Sequence, residues 1–348
     1  MIHDNFIKRS AIFTVLIIVL LASLVVGVSI GAVSIPPSEV VGILFSHIPG
    51  FDRYWAAGLS PEHETIIMTM RFPRVILTAL VGAGLALSGA TFQGLFRNPM
   101  ADPYVIGVSS GAALGAVVCI MVQSVWNIPI HYGIPGAAFI FAVMTILLVY
   151  NLARVGGRVP VMTLLLAGIA VSSLLSALVS LCMFFSGDQL HQVVFWLMGG
   201  FSGRGWDDVY MFIPYGVIGS TLIFIYSREL NAMLLGEEPA QHLGVEVERV
   251  KRRLLIAAAL LTGACVSVSG LIGFVGLVIP HLVRMLFGPD HRILLPAVAL
   301  FGAAFLVIAD VLARVIIAPG ELPVGIVTAL VGGPFFIYLL RRQKNAMF

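Results

Sequence analysis

Ionisable side chains are scarce in this 348-residue sequence, and those that stand out are arginines, paired acids and one isolated aspartate. Arg71 and Arg74 enclose Phe72-Pro73. A guanidinium presents a planar fork of donors that grips a carboxylate with two hydrogen bonds. The pair therefore reads as a grip on acids of another protein, or as two side chains reaching for lipid headgroups. Proline between them suits the first turn of a helix. Asp310 and Arg314 stand one helical turn apart. They read as a self-neutralising pair, with Arg314 near enough to a helix end to reach water. The competing reading of Asp310 is an intramembrane element of a pathway or docking site. The longest charged segment, 230–253, holds Glu237-Glu238-Pro239, which suits a helix start, and Gly244, which suits its end. A short helix there presents Ala240 and Leu243 on one side. It is either a solvated connector or a rigid lever.

Other chemistries lack their residues. The lysines are Lys8, Lys251 and Lys344, and none precedes Ser or Thr. The phosphate-cradling G-x-x-x-x-G-K-[ST] loop is therefore missing. If ATP drives this protein, another chain binds it. The histidines at 3, 47, 63, 131, 191, 242, 281 and 291 show no i, i+3 or i, i+4 pair, so each reads as structural rather than as a metal ligand. Cys119, Cys182 and Cys265 lie in apolar runs and read as small buried apolar residues. No converging carboxylates, histidines or nucleophile pair suggests an enzyme.

The elements that hold these residues are read from hydropathy. Apolar residues make up 59% of the chain and charged ones 11%, against about 25% in an ordinary soluble domain. Mean hydropathy is +1.04. A soluble fold cannot hide that much apolar surface, which excludes a cytosolic enzyme, a nucleic-acid binder and a disordered regulator. A spanning helix needs roughly 20 apolar residues. Runs at 10–32, 75–96, 105–122, 133–152, 162–185, 209–226, 254–268, 272–287, 293–315 and 324–340 predict ten. The seventh and eighth form one stretch, split at Ser269-Gly270-Leu271-Ile272-Gly273. Lys8 and Arg9 precede the first run, but its apolar part is too long for a secretory signal. Ten spans put both termini on one side. Of the 20 Lys and Arg, Arg53, Arg71, Arg74, Arg204 and Arg314 then fall outside and the rest inside, which makes the termini cytoplasmic.

A shift of 181 residues brings Leu80 onto Leu261, Gly82 onto Gly263, Ala83 onto Ala264, Ser88-Gly89 onto Ser269-Gly270 and Pro99 onto Pro280. The shift carries span two onto span seven. A step of five spans reverses direction, so the matches hint at two halves of opposite topology. Small residues that let helices approach explain them equally well. Gly107, Gly111 and Gly115 place a close-packing surface on one helix face. Ser172, Ser173 and Ser176 suit a weakly polar wall, although such hydroxyls more often bond to their own helix.

Taken together, these stretches resemble the FecCD-type permeases of ABC importers, which carry iron–siderophores, haem and cobalamin. The resemblance rests on Arg71–Arg74; Ser88 through Pro103; Gly107–Gly111; Leu164–Gly168; Trp196–Phe201; Gly236 through Gly244; Ser269 through Arg284; Asp290–Arg292; Asp310; Arg314; and Glu321–Gly325. It implies an all-α, polytopic membrane protein, a type II importer permease with ten helices in two inverted five-helix halves. Residues 1–348 would form a single permease domain with a cytoplasmic coupling segment at 230–253. The partners implied are two ABC ATPase subunits, a substrate-binding protein and a second permease subunit, read as an identical copy, in the inner membrane. No cofactor is expected on this chain, ATP-Mg being used by the partner. By position, Arg71, Arg74 and Arg314 look like the outer arginines that engage the binding protein. Asn98, Pro99 and Met100 look like one cytoplasmic gate loop, with Val161 and Met162 opening the second. Glu237, Glu238, Ala240, Leu243 and Gly244 look like the ATPase-coupling element. The implied cargo is an iron(III) chelate, siderophore or haem, with cobalamin as the alternative. The rival is a secondary transporter driven by an ion gradient, which would want an intramembrane acid or histidine relay.

Overall fold

The computed structural model describes residues 2–31, 33–47, 60–126, 133–156 and 159–346, and no β-strand occurs among them. Asp52, Arg53, His131 and Arg158, and the side chains of His3, Lys8, Arg9, Arg342 and Lys344, lie outside the described residues. α1 (Ile2–Ser29), α2 (Pro37–Ser46) and α3 (Pro61–Thr65) lead through a π-helical stretch, Ile66–Arg71, into α4 (Phe72–Phe96). A 3-10 turn, Pro103–Ile106, precedes α5 (Val108–Trp126), α6 (Gly133–Ala153) and α7 (Val161–Phe185). Then come α8 (Leu190–Met198), α9 (Trp206–Ile225), α10 (Ser227–Leu234), α11 (Glu237–His242) and α12 (Val247–Ser269). α13 (Val275–Phe287), α14 (His291–Val315) and α15 (Val324–Ala346) end the chain.

Each of the ten apolar runs falls on a helix. Among the described residues, eight of these helices are long and apolar enough to cross a membrane. The other two runs differ from expectation. α13 has only 13 residues, about 20 Å at 1.5 Å per residue, so the helix alone is too short and the non-helical 270–274 completes the crossing. α15 keeps its apolar part to Val324–Tyr338. The split at Gly270 is real: α12 stops at Ser269 and helix resumes at Val275. Gly270 has φ +69°, and a Cβ there would fall on the Trp196 carbonyl oxygen. α12 starts at Val247, earlier than hydropathy predicts, because its first turns carry charges that a hydropathy window rejects.

α4 and α12 are the most enclosed spans. Of the apolar window of each, 78% is buried, against 22% in α1, α7 and α9. The latter leave apolar side chains such as Ile18, Leu166 and Ile218 exposed. In a bilayer those faces meet lipid at no cost. α4 packs on α12 with opposite direction. Val81 receives the Cys265 thiol, Gly84 faces Leu261 and Cys265, and Ser88 Oγ donates to Ala258 O at 3.1 Å. The segments matched by the 181-residue shift therefore run antiparallel, as an odd step requires. α4 also lies antiparallel to α14, with Gly82 against Gly302, and Gly94 against His291.

The glycine ladder is corrected in one member. Gly111 and Gly115 lie on α5 and press on Phe141, Thr145 and Ala137 of α6. Gly107 precedes the helix with φ +87°, a left-handed backbone that closes the 3-10 turn.

Candidate functional site

Polar residues gather at the two ends of this bundle. At the end where α4 begins, Arg71 donates from Nη1 to Val28 O and Ser29 O, both at 3.0 Å, and from Nη2 to Val33 O. Arg314 donates to Gly27 O at 2.9 Å and Ile30 O at 2.8 Å. The last carbonyls of a helix have no intrahelical donor, and that end carries partial negative charge. Two arginines from other elements thus cap the C-terminus of α1. Arg314 is 7% exposed, which corrects the expectation that it reaches water. The Asp310–Arg314 pair forms at 3.1 Å, but a third partner joins it. Arg74 donates to Asp310 Oδ1 through Nη2 at 2.7 Å and Nε at 3.2 Å, and to Glu321 through Nη1 at 2.9 Å. Asp310 is 1% exposed.

The three predicted outer arginines therefore form one cluster with Asp310 and Glu321, and their donors are engaged within the chain. Glu321 was not foreseen as their partner, although its place in the Glu321–Gly325 stretch is a usable signal. Burial would raise the Glu321 pKa, but the hydrogen bonds and charge of Arg74 prevail and hold it below the usual glutamate value. Arg71, Arg74, Arg314 and Glu321 line a cavity of about 290 Å³. Arg74 and Glu321 also line a neighbouring cavity of about 620 Å³, with Trp196, Gly200, Arg204 and Ser269 on its wall.

At the opposite end lie both predicted gate stretches and the charged segment. Arg97, in the left-handed region at φ +48°, ends α4, and Asn98 Oδ1 then accepts Met100 N at 2.9 Å. Pro99 and Met100 are half-buried in that turn. Val161 is the first residue of α7, after Pro160, and Met162 is 70% exposed. α11 begins at Glu237 as expected, and Gly244 follows it with φ +85°. Ala240 and Leu243 do not share a side. Ala240 is fully buried and Leu243 is 65% exposed, because Leu243 is the capping residue past the last helical turn. The outward face of the segment is Glu238, Pro239, Gln241, His242 and Leu243.

Sequence reasoning missed the polar fastening of this end. Lys251 is 5% exposed and lies 3.0 Å from Glu237 and 3.4 Å from Glu248. The i, i+3 spacing of Glu248 and Lys251 was the available signal. Asn231 of α10 donates to Asp290 at 2.6 Å and accepts from the His291 backbone at 2.7 Å, tying α10 to the start of α14. Arg292, then Asn231, hold Asp290 down to a pKa of about 2 despite partial burial.

Between the two ends, the backbone of 270–274 is non-helical. Within a bilayer such backbone needs internal partners. The Tyr104 hydroxyl donates to Ile272 O at 2.8 Å and accepts Ile272 N at 3.2 Å, and Gln93 Nε2 donates to Leu277 O at 3.0 Å. Of the predicted serines, Ser173 bonds back to Ile169 O, whereas Ser172 Oγ is buried without a partner among the described residues.

The sequence matches the FecCD transport family over residues 16–342. It is 50% identical over 287 residues to the cobalamin import system permease protein BtuC of Halobacterium salinarum, covering 82% of this chain and 76% of that one. It is 42% identical over 301 residues to the hemin transport system permease protein HmuU of Yersinia pestis, covering 85% and 89%. A solved structure described as an inward-facing conformation of a metal-chelate type ABC transporter superposes with a TM-score of 0.83 at 33% identity, over 96% of this chain and 99% of that one.

Proposed function

Because the chain belongs to the FecCD transport family, we propose that it is the permease through which a binding-protein-dependent ABC importer brings an iron(III) chelate, siderophore or haem, into the cytoplasm. The chain is a multi-pass membrane protein and a permease of the importer class that takes metal chelates, haem or cobalamin. Cobalamin is the second reading of the cargo, favoured by the 50% identity to a cobalamin permease. In this proposal residues 1–348 act as one permease domain in the inner membrane, with both termini cytoplasmic. Two copies face each other over two ATPase subunits, which use the ATP-Mg, and a binding protein docks on the far side.

The observation that carries the reading is the division of polar residues between the ends. Asn98, Pro99, Met100, Val161 and Met162 lie at the end that also carries 230–253, while Arg71, Arg74 and Arg314 cluster at the other. A loaded binding protein would present acidic groups to the arginine end. Arg74 and Glu321 line the cavities there, and a docking carboxylate would compete with Glu321 for Arg74. On the inner side, Glu238, Leu243 and Gly244 form the exposed face for the ATPase, with Glu237 and Ala240 fastening that face to the bundle. ATP-driven closure of the ATPase pair moves this segment and switches the two gate turns beside it. Few polar side chains in the span interior means weak cargo contact, which suits release.

The test is uptake by proteoliposomes holding the complete transporter, offered haemin, ferric citrate and cyanocobalamin in turn. ATP-dependent uptake of haemin or ferric citrate is the expected result. Selective uptake of cyanocobalamin would move the cargo to the second reading. Uptake driven by a proton gradient without the ATPase would refute the importer mechanism.

A further inference from the structure

We propose that Lys251 is the positioning residue that joins movement of the ATPase-docking helix to the second gate, an inference that rests on the permease reading above. Lys251 stands on the second turn of α12, and its ammonium is nearly removed from solvent. It binds two acids. One is Glu237 Oε1 at 3.0 Å, the first residue of α11. The other is Glu248 Oε1 at 3.4 Å, on its own helix. The second oxygen of Glu248 accepts the backbone N–H of Val159 at 3.4 Å. Val159 is itself buried and stands two residues before Val161. A continuous polar path therefore runs from the start of α11, through Lys251 and Glu248, to the turn that opens α7.

Fastening of α11 by other means is slight. Ala240 is its one buried residue among the six, so apolar packing holds the helix at a single point. Displacing α11 would pull on the Glu237–Lys251 pair. Lys251 is buried although Glu237 is 40% exposed, so separating them would leave a buried ammonium with Glu248 as its remaining acid, which is costly. The path therefore holds as a tie while α11 moves. The first gate is reached separately: the Arg97 guanidinium, one residue before Asn98, lies 3.6 Å from where a side chain on Gly236 would start. The residue before α11 thus lies beside the first gate turn, while Lys251 and Glu248 link the helix to the second.

The experiment measures ATP hydrolysed per cargo molecule moved, in proteoliposomes holding the complete transporter. The probe is whichever of haemin, ferric citrate and cyanocobalamin the unaltered transporter takes up. Lys251→Met is expected to leave ATP hydrolysis within about twofold while raising the ATP cost per molecule about tenfold. Lys251→Arg restores the ratio, because it keeps charge and reach. Glu248→Gln raises the ratio as well, since it weakens the tie to Val159 and leaves Glu237–Lys251 in place. Glu248 is 38% exposed, so that variant folds and decides the matter if Lys251→Met fails to assemble. An unaltered ratio in Lys251→Met or in Glu248→Gln overturns the proposal. Failure of the unaltered transporter to couple uptake to ATP would instead overturn the importer reading.

Discussion

At the scale of single residues, the arginine end turns on how buried charge is balanced. Arg71 and Arg314 are satisfied mainly by backbone carbonyls of α1, while Arg74 spans two carboxylates. The types of these residues were readable from the sequence. Their partners were not: Arg74 meets Asp310 across 236 residues, and Arg71 meets Val28 across 43, separations over which no local pattern acts. The same geometry bears on mutagenesis. Arg71→Glu would set a carboxylate among carbonyl oxygens, so loss of transport in that variant would report folding rather than docking. Asp310 and Glu321 make a cleaner pair to compare. Asp310→Asn leaves two buried guanidiniums short of a counter-charge and is expected to destabilise the chain by about 3 kcal/mol. Glu321→Gln, at a side chain 34% exposed, is expected to cost well under that. Acid should act through Glu321, whose native pKa lies below the ordinary glutamate value. A depressed carboxylate stabilises above its unfolded pKa, and the contribution is lost as pH falls through the native value. Thermal unfolding of the purified protein from pH 7 downward should therefore show an acid-side loss that Glu321→Gln reduces. An identical pH profile in that variant would exclude the Arg74–Glu321 pair as its source.

The helices themselves were the most readable level, because a bilayer demands long apolar runs and the sequence has few other features. What hydropathy could not supply were the ends. It missed the charged first turns of α12, the 13-residue length of α13 and the short helices α2, α8 and α10, whose apolar content is too small or too mixed for a spanning window. It also could not tell repetition from packing in the glycine matches. In the structure the matched α4 and α12 pack antiparallel through small residues, which fits both readings. Ser88-Gly89 stays within α4, whereas Ser269-Gly270 ends α12, because only Gly270 needs a left-handed backbone. Gly89 is constrained differently: a Cβ there would fall on the Gly276 carbonyl oxygen at the start of α13. That atom is backbone and cannot swing aside. Gly89→Ala is expected to cost about 3 kcal/mol, the upper range of overpacking, and to separate α13 from α4. Gly136→Ala, on α6 with nothing within 4 Å, is the control and should be neutral or slightly stabilising. Equal unfolding midpoints for the two variants would mean that α13 does not seat on α4 as described.

For the whole molecule, direction across the membrane decides every functional assignment, since exchanging the ends would turn a gate into a docking face. The charge bias proposes a direction, and the structure groups the same residues at one end. The charge bias sets Arg97, Arg154, Arg228, Arg249, Lys251, Arg252 and Arg253 at one end, which the positive-inside rule would make cytoplasmic. Hydrogen bonds and ion pairs bring that end together, through Glu248 to Val159, Lys251 to Glu237, and Asn231 to Asp290. The opposite end is joined by Trp206 Nε1 to Met68 O, and by His63 to Glu39 at 2.8 Å. Glu62 and Asp207 belong to that arginine end, and Leu243 to the other. Single cysteines at these three positions, in a chain freed of Cys119, Cys182 and Cys265, make the direction measurable. A membrane-impermeant maleimide added to intact cells whose envelope admits it to the outer face of this membrane should label Glu62→Cys and Asp207→Cys. Leu243→Cys should react only after the membrane is opened. Labelling of Leu243→Cys from outside would invert the molecule, and with it the roles of the arginine cluster and of α11. Labelling of Glu62→Cys and Asp207→Cys from opposite sides would break the span count between α3 and α9, and the antiparallel halves with it.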